Sequence, residues 1–311
     1  MDRRMFRTIG KKTARVLTAT LLCGLAAASF QPEVKVQAAG LRSMQITLDG
    51  AGKTANPANL GNPGNPGSVK SPEVHQPKKK LAVIIDDLGN NMAGTDEILS
   101  MPVKLTVAVM PFLPSTEKDA KRAHERGYDV LLHLPMEPKH GRPEWLGPGA
   151  ILTSMSDAEV RKRVEEAIDN VPFVVGINNH MGSKATADER IMSIVLDVCK
   201  ERGLFFVDSK TNYRSVVGKL CAQRGLPQVN NHIFLDDVAS IQHISKQIMK
   251  VAEWLKEHDH CVTIGHVGGK GKKTAAVLKQ SIDKLKQEAD FVGVSELARD
   301  QPQINPGLIF P

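Results

Sequence analysis

Leu81-Ala82-Val83-Ile84-Ile85-Asp86-Asp87-Leu88-Gly89 is a short, β-branched apolar run that stops on two adjacent carboxylates. A run of about five apolar residues is strand length, and apolar side chains on both faces mark a strand covered on both sides, as in a parallel sheet. Two acids at the end of such a strand are costly unless they meet a cation or take part in chemistry. Capping the next helix is the simpler role for either of them. The pattern recurs, however. Asp129–Leu132 runs into His133, Phe173–Ile177 into Asn178-Asn179-His180, Leu204–Val207 into Asp208, His232–Leu235 into Asp236-Asp237, and Cys261–Gly265 into His266.

Helical stretches separate these runs. They are predicted over Met92–Ser100, Ser115–Arg126, Ser156–Asn170, Ala187–Arg202, Ser215–Arg224, Ile241–His258 and Ala275–Glu288. Ser156–Asn170 shows the reason clearly: Val160, Val164, Ala167 and Ile168 recur on one helical face. Leu105–Met110 and Phe291–Val294 add two more strands. Seven or eight apolar strands alternating with helices predict a parallel α/β fold, either an open doubly wound sheet or a closed barrel. No G-x-G-x-x-G follows the first strand, and the Gly-Lys run Gly268–Thr274 lacks phosphate-loop spacing, which disfavours a nucleotide fold. In either parallel architecture the strands deliver their C-terminal ends to one face. That face collects Asp86, Asp87, His133, Glu137, His180, Asp208, Asp236 and His266.

The formal charge of +7 is misleading until it is located. Residues 1–38 carry seven Lys/Arg against two Asp/Glu, and residues 39–80 carry six against two, which leaves residues 81–311 at −2. With 4% aromatic residues as well, nothing points to a nucleic-acid surface. The first 38 residues read as a secretory signal peptide: six basic residues, the apolar run Val16–Phe30, then Val36-Gln37-Ala38 as a cleavage site. A retained anchor is the alternative, but the run is short for a membrane span. Past Ala38 no stretch is long and apolar enough to cross a membrane, so the expected destination is the cell envelope or the exterior. Residues 39–80, rich in Pro, Gly and Asn and ending in Lys78-Lys79-Lys80, read as a linker without a core. Residues 81–311 form the folded domain. Cys199, Cys221 and Cys261 lack metal-knuckle spacing and read as buried apolar residues, with one disulfide left open.

An Asp and two His from separate strands make an open site for Zn²⁺ or a similar divalent ion, with room for water. A lone strand-end His is ordinarily structural; three on one face opposite paired aspartates favour a metal site.

The motifs then resemble a known family. The chain from Leu81 to about Arg299 is similar to the polysaccharide deacetylase superfamily, and nearest to its divergent polysaccharide deacetylase branch. Asp86-Asp87, the run Gly127–His133, Thr263–Gly269 and Val294–Leu297 match motifs of the superfamily, while His133–Pro138 (His-Leu-Pro-Met-Glu-Pro) and Asn178–Ser183 (Asn-Asn-His-Met-Gly-Ser) match the divergent branch. The resemblance implies a distorted (β/α)7 barrel and a metal-dependent carbohydrate deacetylase acting on an acetylated polysaccharide or peptidoglycan-type substrate. It implies Asp87, His133 and His180 as metal ligands, Asp86 as general base, His266 as general acid, and Asp208 orienting His266 or meeting a sugar hydroxyl. Asn178 and Asn179 are candidates for the oxyanion or sugar, and Trp145 for a sugar ring. The main family has a second metal His where this chain has Glu137, so Glu137 stands as an alternative ligand, a residue supporting one, or a substrate contact. These altered motifs leave a second reading open, a non-catalytic carbohydrate-binding or envelope-interaction protein on the same barrel.

Overall fold

The computed structural model describes residues 78–301. The predicted signal peptide and all but the last three residues of the predicted linker lie outside the described residues. β1 (Lys79–Leu88) starts two residues earlier than the sequence suggests. Lys79 and Lys80 belong to the strand because they pair with β9 (Ala289–Val292), and Lys80 also pairs with β8 (His260–His266). The Lys80 ammonium further bridges Glu296 at 2.8 Å and Asp300 at 2.7 Å.

All strand pairs are parallel. Beyond β1 the sheet contains β2 (Thr106–Val109), β3 (Asp129–Met136), β4 (Val174–Met181), β5 (Phe205–Asp208), β6 (Gln228–Asn230) and β7 (Ile233–Phe234). The order is β6-β5-β4-β3-β2-β1-β8-β7, with β9 on β1. The two ends of this curled sheet, β6 and β7, are separated in the chain by only Asn231 and His232. One extended segment thus leaves the edge of β5 and joins the edge of β8. Counted as one interrupted strand, β6 and β7 leave seven strands around the ring, with β9 beside β1 as an eighth, and the sheet is a distorted (β/α) barrel, as the sequence led us to expect. At the gap, the Gln301 side chain accepts from the Gln228 N–H and donates to the Gln228 carbonyl, both at 2.6 Å, in place of a neighbouring strand.

Around the sheet lie α1 (Thr95–Leu99), α2 (Thr116–Glu125), α3 (Asp157–Asn170), α4 (Glu189–Glu201), α5 (Val217–Arg224), α6 (Ile241–Glu257), α7 (Gly271–Glu288) and α8 (Val294–Asp300). The last of these differs from expectation: Val294, predicted as the end of the Phe291–Val294 strand, begins a helix, and the Ser295 N–H is capped by Asp129 at 2.8 Å. α3 starts on a full capping box, Ser156 with Glu159. α7 starts earlier than predicted, and the Gly-Lys run has a packing explanation. A Cβ on Gly271 would stand 2.2 Å from the Ala93 carbonyl, so only glycine lets α7 meet the loop after β1.

The strands sort their side chains by parity. Leu81, Val83, Ile85, Leu132, Ile177 and Phe206 pack outward against the helices. Ala82, Ile84, Leu131, Val207, Val262 and Ile264 fill the barrel interior with Val294 and Leu297. Cys199, Cys221 and Cys261 are free and buried, and burial pushes the Cys261 thiol up to about 12. Among the described residues no helix is long and apolar enough to cross a membrane.

His232, at the crossing between β6 and β7, accepts the Val262 N–H on Nδ1 at 2.9 Å and stacks on Trp254. Burial, and then the nearby His260 and His258, lower its pKa from 6.5 to about 4. Between those values the unfolded chain takes up a proton that the folded chain refuses, so stability falls as pH drops through that window. A loss of roughly 1–3 kcal/mol is expected, allowing for partial solvent screening. Urea unfolding at pH 7.5, 5.5 and 4.5 should show a shallower loss for His232→Asn than for wild type; parallel slopes would contradict the assignment.

Candidate metal centre

The paired aspartates work because the strand breaks its own rhythm. Simple alternation would send Asp86 and Asp87 to opposite faces. Between Ile85↔Val107 and Leu88↔Val109, β1 has one residue more than β2, a β-bulge at the two acids. Asp87 adopts φ 70°, a left-handed conformation that a non-glycine residue takes at a cost. The strand terminus therefore turns both carboxylates toward His133.

Three donor atoms converge there. Asp87 Oδ1 lies 3.4 Å from His133 Nε2 and 3.1 Å from His180 Nδ1, and the two nitrogens are 3.1 Å apart. Donors bound to one tetrahedral ion at about 2.0–2.2 Å stand about 3.3–3.6 Å from one another, so this triangle fits one such ion. Asp87, His133 and His180 form the one such His/Cys/Asp/Glu group among the described residues. Asp87 Oδ1 is a buried oxygen without a hydrogen-bond partner, the kind of atom a cation satisfies.

The neighbours prepare both imidazoles as ligands. Asn178 Nδ2 donates to Asp86 Oδ1 at 2.9 Å, which leaves Asn178 Oδ1 to accept from His133 Nδ1 at 2.8 Å. His133 thus donates through Nδ1 and turns Nε2 toward the triangle. His180 Nε2 lies 2.9 Å from the Trp145 carbonyl, which can only accept, so Nδ1 is the free nitrogen. Burial works against charge at Asp87, but the close contacts with the His133 and His180 imidazoles outweigh it and hold the carboxyl well below the usual range. Burial raises Asp86, partly offset by His133 and His266.

Beside β1, strand β8 ends on His266, whose register partner is Asp86. His266 Nδ1 donates to Asp236 Oδ1 at 2.7 Å, and the His266 N–H donates to Asp236 Oδ2 at 2.8 Å. Thr274 and Lys270 of the α7 start hold the same aspartate: Thr274 Oγ1 donates to Oδ2 at 2.6 Å, and Lys270 Nζ donates to its carbonyl at 3.0 Å. Burial lowers His266, yet the Asp236 hydrogen bond and the charges of Asp86, Asp236 and Asp87 outweigh it, so its pKa is raised.

Of the residues singled out in the sequence, Asp86, Asp87, His133, His180 and His266 meet here, with Asn178 and Asp236 hydrogen-bonded to them. The others stand differently. Asp208 does not orient His266; Asp236 does. Asp208 shares the outward parity of Phe206, is fully buried, and accepts from the Lys210 N–H at 2.8 Å. Asn178 and Asn179 are 0% and 1% exposed, too deep to meet a sugar. Asn178 is the bridge just described. Asn179 fastens β4 to the loop after β5, accepting from the Ser209 N–H at 3.0 Å. The Glu137 carboxylate is occupied by Thr153, through N–H and Oγ1 at 2.7 and 2.6 Å, and by Lys184 at 2.7 Å, so it ties loops together away from the donor triangle. Trp145 is 58% exposed beside His180. Asp236 was visible in sequence as one of the face-forming acids; its position 30 residues before His266, ending a strand that neighbours the His266 strand, is the signal for the pair.

The chain is similar to several known proteins. An uncharacterized protein of Haemophilus influenzae is 34% identical over 229 residues, covering 74% of this chain and 80% of its own length. The uncharacterized protein YibQ of Escherichia coli is 32% identical over 226 residues, covering 73% and 69%. The crystal structure of an uncharacterized protein from Agrobacterium tumefaciens C58 shares the fold, with TM-score 0.66 and 19% identity over 73% of this chain and 92% of that one. Residues 83–298, from the first strand through α8, match the family described as divergent polysaccharide deacetylase, and the chain belongs to that family.

Proposed function

We infer that this protein is a secreted, metal-dependent hydrolase that removes N- or O-acetyl groups from an envelope or extracellular polysaccharide, peptidoglycan-type glycans included. One observation carries the reading: the unpartnered Asp87 Oδ1 meets two imidazoles whose other nitrogens are already hydrogen-bonded, with a hydrogen-bonded His266–Asp236 pair on the strand beside Asp86. Family membership supports the substrate class, and the basic-then-apolar N-terminus supports export.

In this reading Asp87, His133 and His180 hold the ion, most simply Zn²⁺ given two nitrogens and one oxygen. The ion supplies Lewis-acid polarisation of the acetyl carbonyl and of the attacking water. Asp86, fixed by Asn178, accepts the water proton as general base. His266 donates from Nε2 to the leaving nitrogen or oxygen as general acid, while Asp236 keeps its ring oriented. The bond broken is the acetyl C–N or C–O bond, and acetate and a free amine or hydroxyl leave.

The test is acetate release by the full-length protein from acetylated glucosamine oligomers and from peptidoglycan, before and after chelation and zinc readdition. Release that is lost on chelation and restored by zinc is expected. Glycan binding without release from any acetylated substrate would overturn the reading in favour of a carbohydrate-binding protein on this barrel.

A further inference from the structure

The chain has two Trp and two Tyr, and they divide by environment. Tyr128 is buried, its hydroxyl donating to the Met101 carbonyl at 2.9 Å. Trp254 packs between the rings of His232 and His258. Trp145 and Tyr213 are instead 58% and 88% exposed. Isolated exposed aromatics need no explanation, but these two are not isolated in three respects.

Both stand at the barrel end that carries the donor triangle, Trp145 after β3 and Tyr213 after β5. Both sit on loops fastened to the strand that carries His180. The Trp145 carbonyl accepts from His180 itself. Thr211 Oγ1 donates to the carbonyl of Met181, the next residue, at 2.8 Å, and Asn212 Nδ2 donates to the Ser183 carbonyl at 2.7 Å. Ser183 Oγ in turn accepts the Lys139 N–H at 2.9 Å, so the loops after β3, β4 and β5 form one ridge. Finally, each ring carries a guanidinium, Arg142 at 5.7 Å from the Trp145 centroid and Arg214 at 5.5 Å from the Tyr213 centroid. Neither guanidinium has a carboxylate partner among the described residues.

An exposed ring offers a flat apolar face to the C–H face of a sugar. A guanidinium beside it offers a planar fork of donors that matches carboxylate and phosphate. The pairing occurs twice on one ridge, and the first instance touches a metal-site imidazole. We propose that Trp145 with Arg142 and Tyr213 with Arg214 are two platforms for an anionic glycan, one whose sugar rings stack on the aromatics and whose carboxylate or phosphate groups meet the arginines. That the glycan is acetylated rests on the deacetylase reading; the charge requirement does not.

Titration calorimetry with the full-length protein tests this at low and high salt. The probes are a neutral N-acetylglucosamine oligomer, peptide-free peptidoglycan strands with lactyl carboxylates, the same strands with those carboxylates amidated, and an acetylated glycan bearing phosphates. The carboxylated or the phosphorylated glycan should bind on the order of tenfold tighter than the amidated strands, and salt should erode the difference. Whichever of the two shows the preference identifies the anionic group. The double substitution Arg142→Ala, Arg214→Ala should remove the preference and spare the neutral oligomer; Tyr213→Ala should weaken all probes. Equal binding of charged and amidated strands, or an unaffected arginine double variant, would overturn the proposal. Acetate release measured in the same samples separates the two readings. Release without charge preference removes the platforms and keeps the deacetylase; charge-dependent binding without release keeps the platforms and removes the deacetylase.

Discussion

His180→Ala should strip the metal from this protein. Elemental analysis after desalting is expected to fall from about one divalent ion per chain to a small fraction, with affinity reduced by more than about 100-fold. Loss of a residue that merely supports a ligand already costs about 10–100-fold, and in the proposed site His180 supplies one of three protein donors. The substitution removes Nδ1, 3.1 Å from Asp87 Oδ1, and leaves that buried oxygen facing a single imidazole. It also releases the Trp145 carbonyl, so thermal unfolding of the variant should accompany the measurement. Glu137→Gln is the informative partner. Its carboxylate is committed to Thr153 and Lys184, so this variant should keep the ion and lose some stability. An ion retained by His180→Ala and lost by Glu137→Gln would make Glu137 the third ligand.

Much of this site was legible because a barrel strand enforces parity. Ala82 and Ile84 face the interior, and Asp86 continues their series. Leu131 does the same for His133, and Val262 and Ile264 for His266. An apolar run ending in a ligand residue of interior parity predicts a side chain at the barrel mouth. The same rule, applied strictly, removes Asn179 and Asp208, which share the outward parity of Ile177 and Phe206. The sequence alone does not carry that step, because a run that is apolar on both faces does not reveal which parity is inside.

Asp87 shows the limit in the other direction. By parity it should point outward with Ile85, and only the bulge and the positive φ bring it into the triangle. Neither leaves a local signal other than the doubled acid. Asn178 was misread for a related reason. An amide beside a candidate ligand suggests substrate contact, and nothing in one dimension shows that both of its ends are already used, one by His133 and one by Asp86. The substitution of Asp236 for Asp208 follows from topology: β8 neighbours β7, not β5.

Asp86→Asn should lower acetate release by about 10²–10⁴-fold with metal content unchanged, the range a positioned proton-transfer group supplies. The variant keeps an oxygen to accept from Asn178 Nδ2 and leaves all three donor atoms of the triangle in place, so the loss would belong to proton transfer rather than to metal binding. His266→Ala should cost a similar factor on amide substrates and less on acetate esters of acidic alcohols. Such alcohols leave without protonation, whereas an amine does not. Asp236→Asn should follow His266→Ala in this substrate dependence at a smaller cost, because Asp236 acts by holding the His266 ring through Nδ1. Asp208→Asn should leave the substrate dependence at the wild-type pattern. If amide and ester rates fell equally in His266→Ala, the histidine would not be protonating the leaving group. If Asp208→Asn reproduced that variant, the aspartate orienting His266 would be the wrong one.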